Sequence, residues 1–340
     1  MTEQLTQRAI ERWNARDRAL DAQLPERGVS ADAVVSADAD AVAAGGVDGT
    51  ADGARDAELF LAVTDGAAAA GVSRYASCAP DSFDALWGAL RRDELEPRWD
   101  GHAGALEQVL DRWIAVAGER LRSAADPEPD WERALKAKVP ARDSELTLPL
   151  LRRGFALAGV VGIRVGKRGA DARAAEERLR AAGCVLRRAT AADLQLLTAL
   201  DLELLTHETR YGEINLRAGA AAGLESGIAA RIERDPDWTW IVEQEGDPVG
   251  YLSFEIDRPQ HRAECAAGGA VAYLDAMFLR EHVRGAGIGE AVVNFGHGRA
   301  EAAGFERVLL DYAAANPRSG AFWHRMGYRP LWYRWQRRPA

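Results

Sequence analysis

The stretch LDAMFLREHVRGAGIGEAVV, residues 274–293, reads as the end of an apolar strand, a short charged loop, closely spaced glycines and the start of a helix. Residues 270–279 (AVAYLDAMFL) are almost wholly apolar with one carboxylate, Asp275, which predicts a buried strand. Downstream, EAVVNFGHGRAEAAG has helical spacing. Between them lie Arg284, Gly285, Gly287, Ile288 and Gly289, where glycine lets backbone N–H groups approach a ligand closely. The helix N-terminus adds about half a positive charge at the same place, which suits a pyrophosphate. A glycine-rich turn without a ligand is the plain alternative. A nicotinamide-type dinucleotide turn would use Gly285 and Gly287 with Asp311 as the distal acid, but that turn follows its strand directly, and here residues 280–284 intervene. A P-loop needs Gly-Lys-Ser/Thr after its glycines, and none follows.

Working outward, DWTWIVEQ, the turn EGDP and VGYLSFEI predict a hairpin before the strand. Thr190 or Asp193 opens a helix running through Leu204, after a strand CVLRRA. Behind the glycine loop come strand RVLLDY, the turn AANPRSG, short helix AFWHRM and a terminal strand PLWYRW. The first half follows a similar plan. ELFLAV and VSRYAS flank an Asp-Gly turn, residues 102–123 have helical spacing, and ALKAKV and GVVGIRV read as strands. The stretch 143–155 (DSELTLPLLRRGF) matches 316–328 (NPRSGAFWHRMGY) in length and flanking strands. The chain thus reads as one fold used twice. In front stand a helical stretch, residues 2–24, and an Ala/Gly/Asp-rich acidic linker.

The 274–293 segment resembles the acetyl-CoA-binding motif of the GNAT superfamily of N-acetyltransferases, Arg/Gln-x-x-Gly-x-Gly/Ala, filled by Arg284, Gly287 and Gly289. Residues 316–328 resemble the second family signature, an Asn followed by a short helix and a Gly-aromatic pair, and the likeness extends over 184 to about 336. The first half resembles the family more weakly: RWDGHAG (98–104) meets the pattern through Arg98, Gly101 and Ala103, and Asp143 replaces the Asn. Asp100 beside a pyrophosphate would disfavour binding there. The resemblance implies an α/β (α+β) fold of two GNAT-like domains, each a mixed, mostly antiparallel sheet flanked by helices. The expected boundaries are 1–54 for the helix and linker, 55–168 for a degenerate domain, 169–183 for a connector and 184–340 for the acetyltransferase domain.

By that resemblance the co-substrate is acetyl-CoA, with no metal. Arg284 and the amides of Gly285, Gly287, Ile288 and Gly289 would hold its pyrophosphate. Met277, Phe278 and Leu279 would pair with the pantetheine, one amide, Phe278 or Leu279, polarising the thioester carbonyl. Asn316 and Trp323 would contact the same arm. Asp275, expected to share a strand face with Tyr273 and Met277, is a candidate base, with Glu255 and Asp257 as alternatives. A structural carboxylate is the competing reading of Asp275. Trp323 stands where many members carry a proton-donating Tyr, and an indole N–H is no practical acid. Tyr312, Tyr328 or water would then supply that proton. His207, Glu208, Tyr211 and Tyr273 are expected at the acceptor side.

The 340 residues leave room for two domains. A formal net charge of −9 argues against a generic nucleic-acid or anionic-membrane binder, because both need a basic footprint. No apolar stretch reaches the roughly 20 residues of a membrane span, and the charged first twenty residues lack a signal-peptide core. A cytoplasmic protein, monomer or homodimer, is expected. Cys78, Cys184 and Cys265 have no metal-ligand spacing, and the histidines form no HxxxH or HExxH pattern. The reading is direct acetyl transfer to a primary amine, carried by a small molecule or peptide, in a ternary complex. A non-catalytic acyl-CoA-binding or regulatory protein is the alternative, and an NAD-type oxidoreductase the weaker one.

Overall fold

In a computed structural model the described residues are 2–27, 43–44, 57–64, 66–123, 129–166, 169–256, 265–268 and 270–338. The linker expectation falls almost wholly outside them, as do Asp257 and His261. The chain divides into two units. Unit 1 comprises Met1–Pro80, Trp87–Gly159 and Leu331–Ala340, and unit 2 comprises Asp81–Leu86 and Val160–Pro330.

Unit 1 starts with helix α1 (Thr2–Leu20), strand β1 (Ala43–Ala44) and the hairpin β2 (Ala57–Thr64) and β3 (Ala67–Ser77). Strand β4 (Arg91–Asp100), helix α2 (Ala103–Ser123), strand β5 (Arg133–Pro140) and helix α3 (Thr147–Arg152) follow, and the chain's last strand β12 (Arg329–Arg337) pairs antiparallel with β5. The strand order is β1-β2-β3-β4-β5-β12. Helix α2 buries Leu106, Val109, Leu110, Trp113, Ala117 and Leu121, the spacing of one helix face, against Phe60, Leu95, Leu135 and Trp335. Trp335 of the terminal strand thus enters this core, with Tyr333 packed against it. Strand β4 is hidden by its charges. Its inward Asp93, fully buried, accepts from Trp113 Nε1 at 2.7 Å and Arg120 Nη1 at 3.0 Å, so a charged residue fills a core position with its hydrogen bonds met.

In unit 2 the order is β6-β11-β10-β9-β8-β7, the counterpart of unit 1 strand for strand. Its elements are the later part of β6 (Ala156–Val165), helix α4 (Ala172–Ala181), β7 (Cys184–Arg188), α5 (Leu194–Glu208), α6 (Ala220–Arg234), β8 (Thr239–Gln244), β9 (Asp247–Glu255), β10 (Val271–Leu279), α7 (Ile288–Ala302), β11 (Arg307–Ala313) and α8 (Pro317–Arg325). Thr190 and Asp193, the two expected openers of the helix, form a capping box at the turn into α5. Residues 169–183, read as a connector, instead hold α4, which packs Ala175 and Leu179 into the core beside α7. Helices α4 and α7 cover one sheet face, and α5 and α6 the other.

A second departure from linear boundaries is the segment Asp81–Leu86, which belongs to unit 2. Gly219, Gly223 and Gly227 of α6 and its start receive it. A Cβ on Gly227 would lie 2.5 Å from Phe83 Cδ2, and one on Gly219 would lie 2.9 Å from Asp81 Cα. The Asn215 amide donates to the Leu86 carbonyl at 3.2 Å, fastening the segment further.

Candidate active site

Strands β10 and β11 pair in parallel only at Val271↔Arg307, Ala272↔Val308 and Tyr273↔Leu309, and then part. On its other side β10 pairs antiparallel with β9, with a bulge at Asp275 between Leu274 and Ala276. The bulge resets the alternation. Ala272, Leu274, Met277 and Leu279 pack toward α4 and α7, whereas Ala276 and Phe278 pack toward α5 and α6. Asp275 meets Arg231 of α6, so the expectation that Asp275 and Met277 share a face is corrected: one extra residue inverts everything after it.

The backbone sorts the oxyanion candidates. The Arg280 amide donates to Val249 of β9 at 2.8 Å. Successive strand residues point their N–H and C=O groups to alternate sides, so the Phe278 amide also faces β9, while the amides of Met277 and Leu279 face the opening. The Leu279 carbonyl, on that side, accepts from Arg284 Nε at 2.7 Å. Arg284 thereby braces the loop against the end of β10.

At the end of the opening, Gly285 and Gly287 have φ of +90° and +78°, a region in which a Cβ is strained, and nothing lies within 4 Å of where either Cβ would be. Gly287 is the N-cap of α7 and supplies no side-chain cap, so the first-turn amides stay available to an external anion. Ile288 anchors the helix in the core, and a Cβ on Gly289 would lie 3.3 Å from Met277 Cε.

His207, on the last turn of α5, stacks edge-on with Tyr211 at 5.7 Å. Its pKa is lowered from 6.5 by burial first and then by the nearby charges of Arg284, Arg210 and Arg318. Three arginines thus act on one imidazole, Arg284 among them from the glycine loop. No sequence motif marks Arg318. A signal for it exists: a cation in the first turn of α8 opposes the helix dipole, a placement that an anion would offset.

Asn316 is the N-cap of α8, its Oδ1 accepting from the Arg318 and Ser319 amides at 3.1 and 3.3 Å. Its Nδ2 donates to Glu208 Oε1 at 2.8 Å. Burial raises the Glu208 pKa above the ordinary carboxylate value, with the Asn316 hydrogen bond opposing.

The other candidate bases are engaged. Asp275 pairs with Arg231, and Glu255 with Arg234 at 3.1 Å. Asp201 of α5, buried, accepts from Tyr251 at 2.5 Å, and its burial raises it to about 6. Tyr273 donates to Asp311 at 2.8 Å, and Tyr312 lies against Gly162 and Gly320. Trp323 is 8% exposed and packs edge-on against Phe322 and Tyr328, which makes it part of the core. Tyr328 is fully enclosed, and its hydroxyl lies 2.9 Å from His297 Nε2. No group of three His, Cys, Asp or Glu among the described residues is arranged to hold a metal. No helix among them is long and apolar enough to cross a membrane.

Residues 206–328, which hold the parted strands, the bulge and the glycine loop, match the model of the acetyltransferase (GNAT) family. The matched residues lie within unit 2. Among solved structures the chain is similar to a GCN5-related N-acetyltransferase from Sphaerobacter thermophilus, covering 80% of each chain at 11% identity and a TM-score of 0.52. It is also similar to a GCN5-related glucosamine N-acetyltransferase region of a fungal multi-domain GH3 β-N-acetylglucosaminidase. There it covers 82% of this chain and 33% of that one at 13% identity and a TM-score of 0.50. These two likenesses are of fold. No curated protein sequence matches the chain.

Proposed function

We propose that unit 2 transfers an acetyl group from acetyl-CoA to a primary amine by direct attack in a ternary complex. The observation that carries this reading is the uncapped start of α7 behind the left-handed Gly285 and Gly287, placed where β10 and β11 part. The residues present fit the co-substrate. Amides of Gly285, Gly287, Ile288 and Gly289 suit a diphosphate, Arg284 adds positive charge in the same loop, and Arg210 and Arg318 act with it on His207. The outward amides of Met277 and Leu279 suit the pantetheine, with Leu279 as the donor that polarises the thioester carbonyl. Acetyl-CoA supplies the activated acyl group.

Glu208 is the base this reading favours, because burial raises its affinity for a proton above that of an ordinary carboxylate and because its partner, Asn316, adjoins the opening. Asp275 and Glu255, held by arginines, shape the wall under α6. Tyr273 and Tyr211 line the acceptor side. Tyr312, on the parted strand, is the hydroxyl that returns a proton to the departing thiolate, since Trp323 has none to give. Trp323→Phe is therefore expected to retain most of the turnover.

A binding-only protein is the second reading, favoured by Trp323 at the position of the acid. Thermal unfolding with acetyl-CoA and with NAD tests the co-substrate. Acetyl-CoA is expected to raise the melting temperature and NAD not to, and equal effects would refute the proposal. Amine-dependent thiol release then separates catalysis from binding alone.

A further inference from the structure

In unit 1 the parallel pairing of two strands also stops short, as in unit 2, and residues from the first helix and the turn after it meet the strand ends beyond it. Strands β4 and β5 pair in parallel from Arg91↔Arg133 to Leu95↔Ala137, and no pairing follows. In unit 2 residues 280–287 link strand to helix, but in unit 1 only Gly101 and His102 stand between β4 and α2. Gly101 is also left-handed, yet a Cβ on it would lie 2.4 Å from the Gly66 carbonyl oxygen, against open space at Gly285 and Gly287. The Gly104 amide, in the first turn of α2, donates to His102 Nδ1 at 3.2 Å. The space at Gly101 and the Gly104 amide are thus taken up within the chain.

Residues 12–27 cross this opening with matching charge. Arg16 donates to both oxygens of Asp143, at 2.6 and 3.0 Å, and Trp99 Nε1 donates to the same carboxylate at 3.1 Å. Asp143 is the residue that stands for Asn316. The Arg16 guanidinium also lies 4.0 Å over the Trp99 ring. Arg12 pairs with Asp100 at 2.5 Å. Arg27 lies near Glu96, the first β4 residue past the pairing, and 4.9 Å over Trp332. Arg98 donates to Asn14 and to the Arg27 carbonyl. Trp13 is 3% exposed against Leu59 and Ala70. Three carboxylates, Glu96, Asp100 and Asp143, therefore line the opening and meet Arg12, Arg16 and Arg27. A polyanion would lose that pairing and face the carboxylates.

We infer that residues 12–27 are the permanent occupant of unit 1's inter-strand opening, so that unit 1 binds no CoA and the chain takes up one acetyl-CoA. This rests on the reading of unit 2 as the acetyl-CoA site.

Isothermal titration with acetyl-CoA on the intact chain, combined with hydrogen exchange of residues 12–27, tests it. One site per chain is expected, and Gly287→Val, which forces a β-branched residue into a left-handed position, is expected to remove it, weakening binding at least tenfold. Two sites, or a site surviving in Gly287→Val with affinity within tenfold, would overturn the inference. The amides of α1 are expected to exchange as slowly with saturating acetyl-CoA as without it. Their faster exchange on addition of acetyl-CoA would mean displacement and would also overturn it. Failure of the intact chain to bind acetyl-CoA at all would defeat the reading of unit 2, while slow exchange in α1 would still support the occupied opening. Arg16→Ala and Trp13→Ala are expected to lower the melting temperature with no change in the number of sites.

Discussion

The Asn316 side-chain amide donates to the Glu208 carboxylate at 2.8 Å, joining the start of α8 to the last turn of α5 beside the parted strands. One residue thus caps a helix with its oxygen and orients a half-buried carboxylate with its nitrogen. The arrangement gives Glu208 a fixed direction as well as a raised pKa.

Glu208→Gln is expected to lower kcat by about 10²- to 10⁴-fold, the range that general bases supply. The raised carboxylate must be ionised to act, so the wild-type rate rises with pH along a limb above the ordinary carboxylate range. Pre-steady-state rates across pH check this. An acidic limb that persists unchanged in Glu208→Gln would assign the titration to another group.

Arg210→Ala and Arg318→Ala are each expected to weaken acetyl-CoA binding, more at low salt than at high salt, because exposed charges act within about a Debye length. Each should also raise the His207 pKa, since those guanidinium groups help to hold it below 6.5. NMR titration of the His207 ring gives the second readout. A His207 pKa indifferent to both substitutions would separate the arginines from the site.

Asp201 links stability to pH. Burial favours its neutral form, so its contribution is fully present below the unfolded value of 3.8 and is lost as pH rises toward about 6. The ceiling of this loss is roughly 3 kcal/mol, from about 1.36 kcal/mol per pKa unit. Asp201→Asn stays neutral, so the variant should gain on the wild type between pH 4 and 6 and hold a constant difference above. Denaturant midpoints across that window measure it, and a flat difference would contradict the assignment.

The strands of the hairpin, β10 and β11, and the glycine loop of unit 2 were legible in the sequence, because long apolar runs and a Gly-rich helix start carry strong periodic signals. Strand β4 was not, since Arg91, Asp93 and Arg98 are buried polar residues whose partners come from distant positions. The bulge at Asp275 was invisible for a related reason: strict alternation assumes that every residue pairs, and one unpaired residue moved Met277 across the sheet. Helix α4 hid in a charged stretch with few apolar positions, Ala175 and Leu179 among them. The Phe83 insertion and the role of α1 depend on contacts far apart in sequence, which no local pattern encodes.

The Phe83 insertion is open to a double-mutant cycle. Gly227→Ala is expected to destabilise by about 1–3 kcal/mol, the usual cost of overpacking, because its Cβ would fall 2.5 Å from the Phe83 ring. Phe83→Ala opens that space, so adding Gly227→Ala to it should cost much less than in the wild type. Strict additivity of the two changes would show that residues 81–86 do not rest on α6.

Free thiol released from acetyl-CoA, followed across a panel of primary amines with the wild type and Gly287→Val, tests the central claim most directly. The account predicts amine-dependent release by the wild type and its loss in Gly287→Val. Binding of acetyl-CoA with no release above the hydrolytic background for any amine would contradict it.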